Sequence, residues 1–175
     1  MTPETIFRIH LIFGYAAWLL FFGAYVRPRL RSMSWMDAQR AIATLHSFRF
    51  FGLVFILPGV VGTLPASFAR AAAYGDLLTG VLAIIALLTV RMPLLFRVFV
   101  VAFNVAGAAD ILIDYYRATV AGLPLVAGQL GAAYWIPILY VPVLMITHGV
   151  AFYLLLRPRE AEAPALTGQA VVSQV

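Results

Sequence analysis

Seven polar or ionisable residues interrupt the apolar stretches of this chain. They are His10, His46, Arg49, Asn104, Asp110, Asp114 and His148. Such groups are costly inside a bilayer and usually face a protein interior, a cavity or a partner, so any chemistry is sought among them. Histidine and aspartate can transfer protons, while arginine and asparagine can polarise a carbonyl group or hold an anion.

The composition identifies the class of protein that must position these residues. The chain is 63% hydrophobic and only 11% charged, with a mean hydropathy of +0.97. This is typical of a membrane protein, because about one quarter of the residues of a soluble domain are charged. The absence of cysteine excludes disulfides, thiolate metal sites and cysteine nucleophiles. Although the pI is near 10.0, the basic residues lie mostly at the ends of apolar runs, so we expect no nucleic-acid partner.

Five stretches are long enough to cross a bilayer, which takes about 20 residues. They lie at about 6–26, 43–61, 73–90, 98–116 and 133–156. The sequence therefore predicts an all-α polytopic membrane protein, a compact bundle of five transmembrane helices in one domain over residues 1–157. Residues 158–175 are predicted to form a disordered cytoplasmic tail. The first apolar run is too long for a typical signal peptide, so we expect it to be retained.

The arginines predict the orientation of the bundle. They are concentrated between spans one and two, between spans three and four, and after span five. The positive-inside rule then predicts an N-terminus outside and a C-terminus in the cytoplasm. Two prolines and two glycines in the Leu57–Pro65 stretch predict a kinked exit from span two, either a ligand gate or a simple turn. The Ala66–Asp76 stretch is predicted to be a short apolar loop at the outer interface.

Distance from the cytoplasmic arginines gives an approximate depth for each polar residue, because a helix rises about 1.5 Å per residue. His46 and Asn104 lie at about 9 and 10 Å, and Arg49 and His148 at about 14 Å. Four polar residues on three spans are therefore predicted to form one inner layer.

The other three polar residues lie deeper and are predicted to form a looser outer group. Asp110 lies at about 20 Å, and Asp114 and His10 at about 25 Å. Arg8 and Asp76 are further candidates for this group.

The leading functional hypothesis is that the inner layer binds an apolar or amphipathic small molecule. His46, Arg49, Asn104 and His148 are the candidate binding residues. The cofactor is unknown, and b-type haem is the most testable case, with His46 and His148 as axial ligands of the iron. A zinc site is poorly supported, because no third ligand is evident.

Three alternatives remain open. A membrane enzyme could act on a lipid-like substrate by proton transfer, with catalytic candidates His148, Asp110 and Asp114. The same residues could instead fix the helix register of a non-catalytic subunit of a membrane complex, with Arg49 paired to Asp110 or Asp114. Transport or proton conduction is the third. The expected partners are the bilayer, an apolar ligand, and a membrane protein or a second copy of the chain.

Several segments together carry a resemblance to known proteins. They are His46–Gly52, Leu57–Val61 and Ala73–Leu77, with Asn104, Gly107, Asp110, Pro137, Pro142 and His148. This pattern resembles small uncharacterised bacterial membrane proteins, and it implies a multi-pass protein of the bacterial inner membrane. In architecture, five spans in a small chain are also similar to the tryptophan-rich sensory proteins, which bind porphyrins, although their tryptophan-rich loop is absent.

Overall fold

The computed structural model describes residues 1–157, and these residues are almost entirely helical. Within them, four helical segments are long and apolar enough to cross a membrane. These are Pro3–Arg31, Ala66–Leu88, Pro93–Val120 and Ile136–Leu156. The prediction of an all-helical membrane protein is therefore confirmed. The predicted tail over 158–175 lies outside the described residues.

The first helix packs at the edge of the bundle. Helix α1 (Pro3–Phe21) begins after Thr2, whose hydroxyl accepts a hydrogen bond from the Thr5 amide. It continues through a π-helical turn (Phe22–Val26) into α2 (Arg27–Arg31). Three long-range hydrogen bonds hold α1 in place, all between 2.7 and 2.9 Å. They join His10 to Tyr134, Tyr15 to Tyr115, and Trp18 to the Leu139 carbonyl.

The second predicted span changes its winding halfway. Helix α3 (Trp35–His46) begins after Ser34, whose hydroxyl accepts from the Asp37 amide. It passes directly into a long 3-10 helix (Ser47–Ile56), from here on the 3-10 segment. Runs of this winding longer than three or four residues are uncommon and often mark functional or strained sites. A 3-10 helix has three residues per turn, which explains why the buried residues Arg49, Gly52 and Phe55 recur at every third position after His46.

The stretch after the 3-10 segment corrects two expectations. The helix ends at Ile56 rather than near residue 61, and the turn that follows has Gly59 at φ +84°. The amide of Gly62 donates to the Gln129 carbonyl at 2.7 Å, which ties this turn to the stretch that connects the last two membrane-length helices. The predicted loop at Ala66–Asp76 is wrong, because α4 (Ala66–Leu88) already begins at Ala66. Alanine is the strongest helix former, and this stretch is rich in it.

The last two predicted spans are found with different ends. Helix α5 (Pro93–Val120) extends the predicted 98–116 span in both directions. An irregular 3-10 stretch (Leu123–Tyr134) then contains Gly131 at φ +52°. A π-helical turn (Ile136–Tyr140) leads into α6 (Val141–Leu156). The membrane-length segment therefore starts at Ile136 rather than at residue 133, because the backbone of the preceding stretch is not regular.

Two separate apolar clusters form the core, and most of the buried polar residues lie between them along the chain. One cluster contains Phe7, Phe55, Phe68, Ala69, Ala72, Leu123, Ala127, Leu130, Ala133 and Ile138. The other contains Ile42, Ala43, Ala83, Ala86, Phe96, Val100, Phe103 and Ala151. On α4, for example, Ala72 belongs to the first cluster and Ala83 to the second, with buried Asp76 and Thr79 between them. A polar layer thus crosses the bundle between two apolar layers.

Candidate functional site

Arg49 is the centre of the polar layer. Only 1% of this residue is exposed, although it carries a full charge. Its Nε donates to Oδ1 of Asp76 on α4 at 2.6 Å, and its Nη2 donates to Oδ2 of Asp110 on α5 at 2.6 Å. Its Nη1 donates to the Gly107 carbonyl at 3.1 Å and lies 3.3 Å from Nε2 of His148 on α6. One guanidinium therefore joins four segments of the bundle, and these interactions offset the cost of removing its charge from water.

Three glycines, Gly52, Gly75 and Gly107, lie in direct contact with this ionic group. A Cβ on Gly107 would lie 2.5 Å from Nη1 of Arg49 and 2.6 Å from Nε2 of His148. A Cβ on Gly52 would overlap the carboxyl group of Asp76, and one on Gly75 would overlap that of Asp110. The missing side chains make the space in which the two salt bridges form.

The histidines form a second part of the layer, and their partners define their tautomers. Nδ1 of His148 lies 2.9 Å from Oδ1 of Asn104, whose Nδ2 donates to the Val100 carbonyl. Nδ1 of His148 is therefore the donor, and its Nε2 accepts from Arg49. Nε2 of His46 lies 3.0 Å from the Thr147 hydroxyl, which itself donates to the Val143 carbonyl. His46 is therefore protonated on Nε2, and its buried Nδ1 has no hydrogen-bond partner within residues 1–157.

The four residues predicted for the inner layer are thus brought together. His46, Arg49, Asn104 and His148 are each at most 1% exposed, and they come from the three segments that the depth argument selected. The sequence analysis missed Thr147, which adjoins His148 in the chain. It placed Asp76 where the predicted loop and span three overlap and named it only as a candidate for the outer group. Reading the alanine-rich stretch from Ala66 as helix would have placed Asp76 correctly.

The predicted outer group does not form. Asp110 pairs with Arg49 instead, because the long arginine side chain spans the difference in depth between the two backbones. His10 bonds to Tyr134, and Arg8 pairs with Glu4 one turn away at 2.7 Å. Within residues 1–157, Asp114 forms no ion pair, and its buried Oδ1 has no hydrogen-bond partner.

The two histidines do not fit a haem held between them. Two axial histidines must approach one iron from opposite faces of a flat macrocycle, which then lies between the rings. The ring centroids of His46 and His148 are only 4.1 Å apart, so the rings are in direct contact. Both nitrogens of His148 are also engaged. Across residues 1–157, no group of three or more histidine or acidic side chains is arranged to hold a metal ion.

A cavity of about 350 Å³ opens beside the polar layer. Its walls are mainly apolar and include Phe7, Leu11, Phe55, Phe68, Ala72, Ile111, Ala118 and Leu123. Arg49, Asp76 and Asp114 form its deep wall, where polar groups are largely buried, and Glu4 and Arg8 of α1 line the cavity where side chains are more exposed. Neither histidine lines this cavity. The arrangement is that of a small-molecule pocket, with apolar walls and a few polar groups.

Comparison with known proteins gives a family and no further match. A family model described as "Domain of unknown function (DUF8737)" matches residues 6–156. No curated protein and no solved structure matches the chain. The matched region covers all four membrane-length segments almost completely, together with every residue of the polar layer. The resemblance to proteins without an assigned function is thereby confirmed.

Proposed function

Since the chain belongs to the DUF8737 family, which carries no activity to transfer, we propose from its geometry that it is a membrane protein that binds an apolar or amphipathic small molecule. The single observation that carries this proposal is the cavity of about 350 Å³, whose apolar walls lead to Arg49, Asp76 and Asp114. This volume lies at the lower end of the range for small-molecule sites, about 300–1,000 Å³. The apolar part of the ligand contacts the phenylalanine-rich wall, and its polar end reaches the layer.

The proposed arrangement in the membrane has five crossings, with the N-terminus outside and the C-terminus in the bacterial cytoplasm. The second crossing runs from Trp35 to Ile56. With rises of about 1.5 Å per residue in α3 and about 2.0 Å in the 3-10 segment, it reaches about 38 Å, more than the roughly 30 Å of a hydrocarbon core. Gln39, His46 and Arg49 lower its hydropathy, but all three are buried within the bundle.

The outer surface of the bundle supports a lipid environment. Large apolar side chains are exposed along every membrane-length segment, as Ile12, Leu88, Leu112 and Leu139 illustrate. Apolar groups on such a surface contact acyl chains rather than water. Side chains of α1 form part of the cavity lining, and we infer that an apolar ligand enters from the membrane beside this helix.

Ligand binding is tested by filling the cavity. Ala118 on α5 lines the cavity, whereas Ala109 on the same helix is exposed on the outer surface. We expect Ala118→Phe to abolish binding of a neutral probe, octanol, measured as the rise in melting temperature of the full chain in lipid nanodiscs. Ala109→Phe is the matched control and keeps the response. An equal response to octanol in Ala118→Phe and the unaltered protein contradicts the proposal.

One observation favours a second candidate, a structural subunit. Arg49 joins α4, α5 and α6 to the 3-10 segment through a closed set of bonds, which is what a register-fixing network requires. The two functions separate experimentally, because a purely structural protein shows no probe response that depends on Ala118. Catalysis by His148, Asp110 or Asp114 stays a prediction from the sequence, and of these three only Asp114 lines the cavity.

A further inference from the structure

The deep wall of the cavity has more negative than positive groups. Asp76 and Asp114 line this wall together with a single guanidinium, that of Arg49, which also pairs with Asp110, a residue outside the lining. In the more exposed part of the cavity, Glu4 and Arg8 form an ion pair, so their charges cancel each other. Arg117 lies one turn beyond Asp114, but its Nη1 donates to the Ser67 carbonyl at 2.9 Å. The formal charge of the deep wall is therefore negative when its carboxyl groups are ionised.

The guanidinium of Arg49 is already committed to the protein. Its Nε and Nη2 donate to carboxylates, and its Nη1 faces a carbonyl oxygen and an imidazole nitrogen. An anionic ligand would have to displace one of these bonds and would meet the carboxylates at close range. Like charges in a medium of low dielectric constant repel strongly, so this arrangement disfavours an anion.

Asp114 offers a hydrogen-bond acceptor that a cationic group can use. It lines the cavity, and its Oδ1 is buried without a hydrogen-bond partner within residues 1–157. A buried acceptor without a partner is unfavourable, and a hydrogen bond to a charged donor is the strongest way to relieve it. The phenyl rings of Phe7, Phe55 and Phe68 line the same cavity, and their faces attract cations as well as alkyl chains.

We propose that the cavity selects cationic amphiphiles, namely molecules with an apolar chain and a protonated amine that donates to Asp114. This inference rests on the proposed function, because it assigns the chemical class of the ligand in that same cavity. The amine hydrogen-bonds to Oδ1 of Asp114 and offsets the excess of carboxylates, while the chain lies along the phenylalanine wall. A neutral alcohol can donate a hydrogen bond to Asp114, but it does not neutralise the excess negative charge. A carboxylate can neither donate to Asp114 nor neutralise that charge.

The test uses three probes that share one chain and differ in their head group: octylamine, octanol and octanoate. Each is added to the full chain in uncharged lipid nanodiscs at neutral pH, and the dissociation constant is taken from the concentration dependence of the melting temperature. We expect octylamine to bind at least about tenfold more tightly than octanoate, with octanol between them. Equal or tighter binding of octanoate overturns the proposal.

A matched pair of variants assigns the preference to Asp114. Asp114→Asn keeps the shape of the side chain, and we expect it to weaken octylamine binding about tenfold while changing octanol binding little. Asp37→Asn makes the same chemical change at an exposed position on α3 and serves as the control. Unchanged octylamine binding in Asp114→Asn overturns the proposal. Should this variant fail to fold, the three-probe ranking on the unaltered protein still decides.

The outcomes distinguish this inference from the function on which it rests. If none of the probes gives a response that Ala118→Phe removes, the cavity is not a binding site and both proposals fail. If all three bind equally and Ala118→Phe removes every response, the binding function stands and the charge preference is wrong.

Discussion

Arg49 and Asp110 form a salt bridge of 2.6 Å between two residues whose backbones lie at different depths in the bundle. Counting from the cytoplasmic arginines separates them by about 6 Å. The arginine side chain bridges this difference and draws Asp110 into the inner layer. Depth along a helix therefore estimates the position of the backbone, but it does not locate the charged end of a long side chain.

Removing Arg49 should be among the most destabilising changes in this chain. Arg49→Ala leaves Asp76 and Asp110 without their partner in a largely buried site, and breaking a buried pair in this way costs about 3–5 kcal/mol. Unfolding of the purified protein in detergent measures the loss. Arg40→Ala is the control, because the Arg40–Asp37 pair is 52% exposed on each side and should contribute at most about 1 kcal/mol. Similar losses in both variants would show that Arg49 is not the central clamp.

Gly107 should not tolerate even a methyl group. In Gly107→Ala, the added Cβ would lie closer to Arg49 and His148 than van der Waals contact allows. Overpacking of this kind costs roughly 1–3 kcal/mol. Gly149 on α6 has no neighbour within 4 Å of an added Cβ, so Gly149→Ala should be neutral or slightly stabilising. Melting temperatures of the two variants check this contrast. A stable Gly107→Ala protein would mean that the ionic group packs less tightly than described.

The proposed topology places the two connections that flank α4 on opposite sides of the membrane. Thr63 lies in the connection before α4, and Met92 lies in the connection after it. The chain has no cysteine, so single substitutions can be labelled without background. We expect Thr63→Cys to react with an impermeant maleimide added to intact cells, and Met92→Cys to react only after permeabilisation. Both positions are exposed in the structure. Labelling of both from the same side would show that α4, the single helix between them, does not cross the membrane.

The contact between His46 and His148 predicts the spectrum of the purified protein. Because the two rings touch at 4.1 Å, we expect no Soret band that depends on both histidines, even when cells are supplied with haem. Absorption spectra of the protein and of His46→Ala and His148→Ala check this expectation. A Soret band lost in each variant would show that the rings separate to admit a porphyrin.

Patterns of residue type predicted much of this structure. Apolar runs gave the helical membrane class, and depth counting brought His46, Arg49, Asn104 and His148 to one level. The start of α4 was predicted too late, because Ala66–Asp76 was interpreted as an apolar loop although its alanines favour a helix. The position of Asp76 was wrong for the same reason. The cavity could not be predicted, because its walls come from segments whose mutual packing depends on the irregular stretch at Leu123–Tyr134.

The winding of the 3-10 segment has a consequence for the size of the cavity. In an α-helix, nine residues advance the chain by about 900°, so His46 and Phe55 would point to opposite sides. Three residues per turn instead bring both onto one line with Arg49. Changes that favour α-winding between Ser47 and Ile56 would therefore rotate Phe55 out of the cavity wall without altering one cavity-lining residue. The pitch of the backbone, together with the size of the side chains that line the cavity, therefore sets how large a molecule this protein can hold.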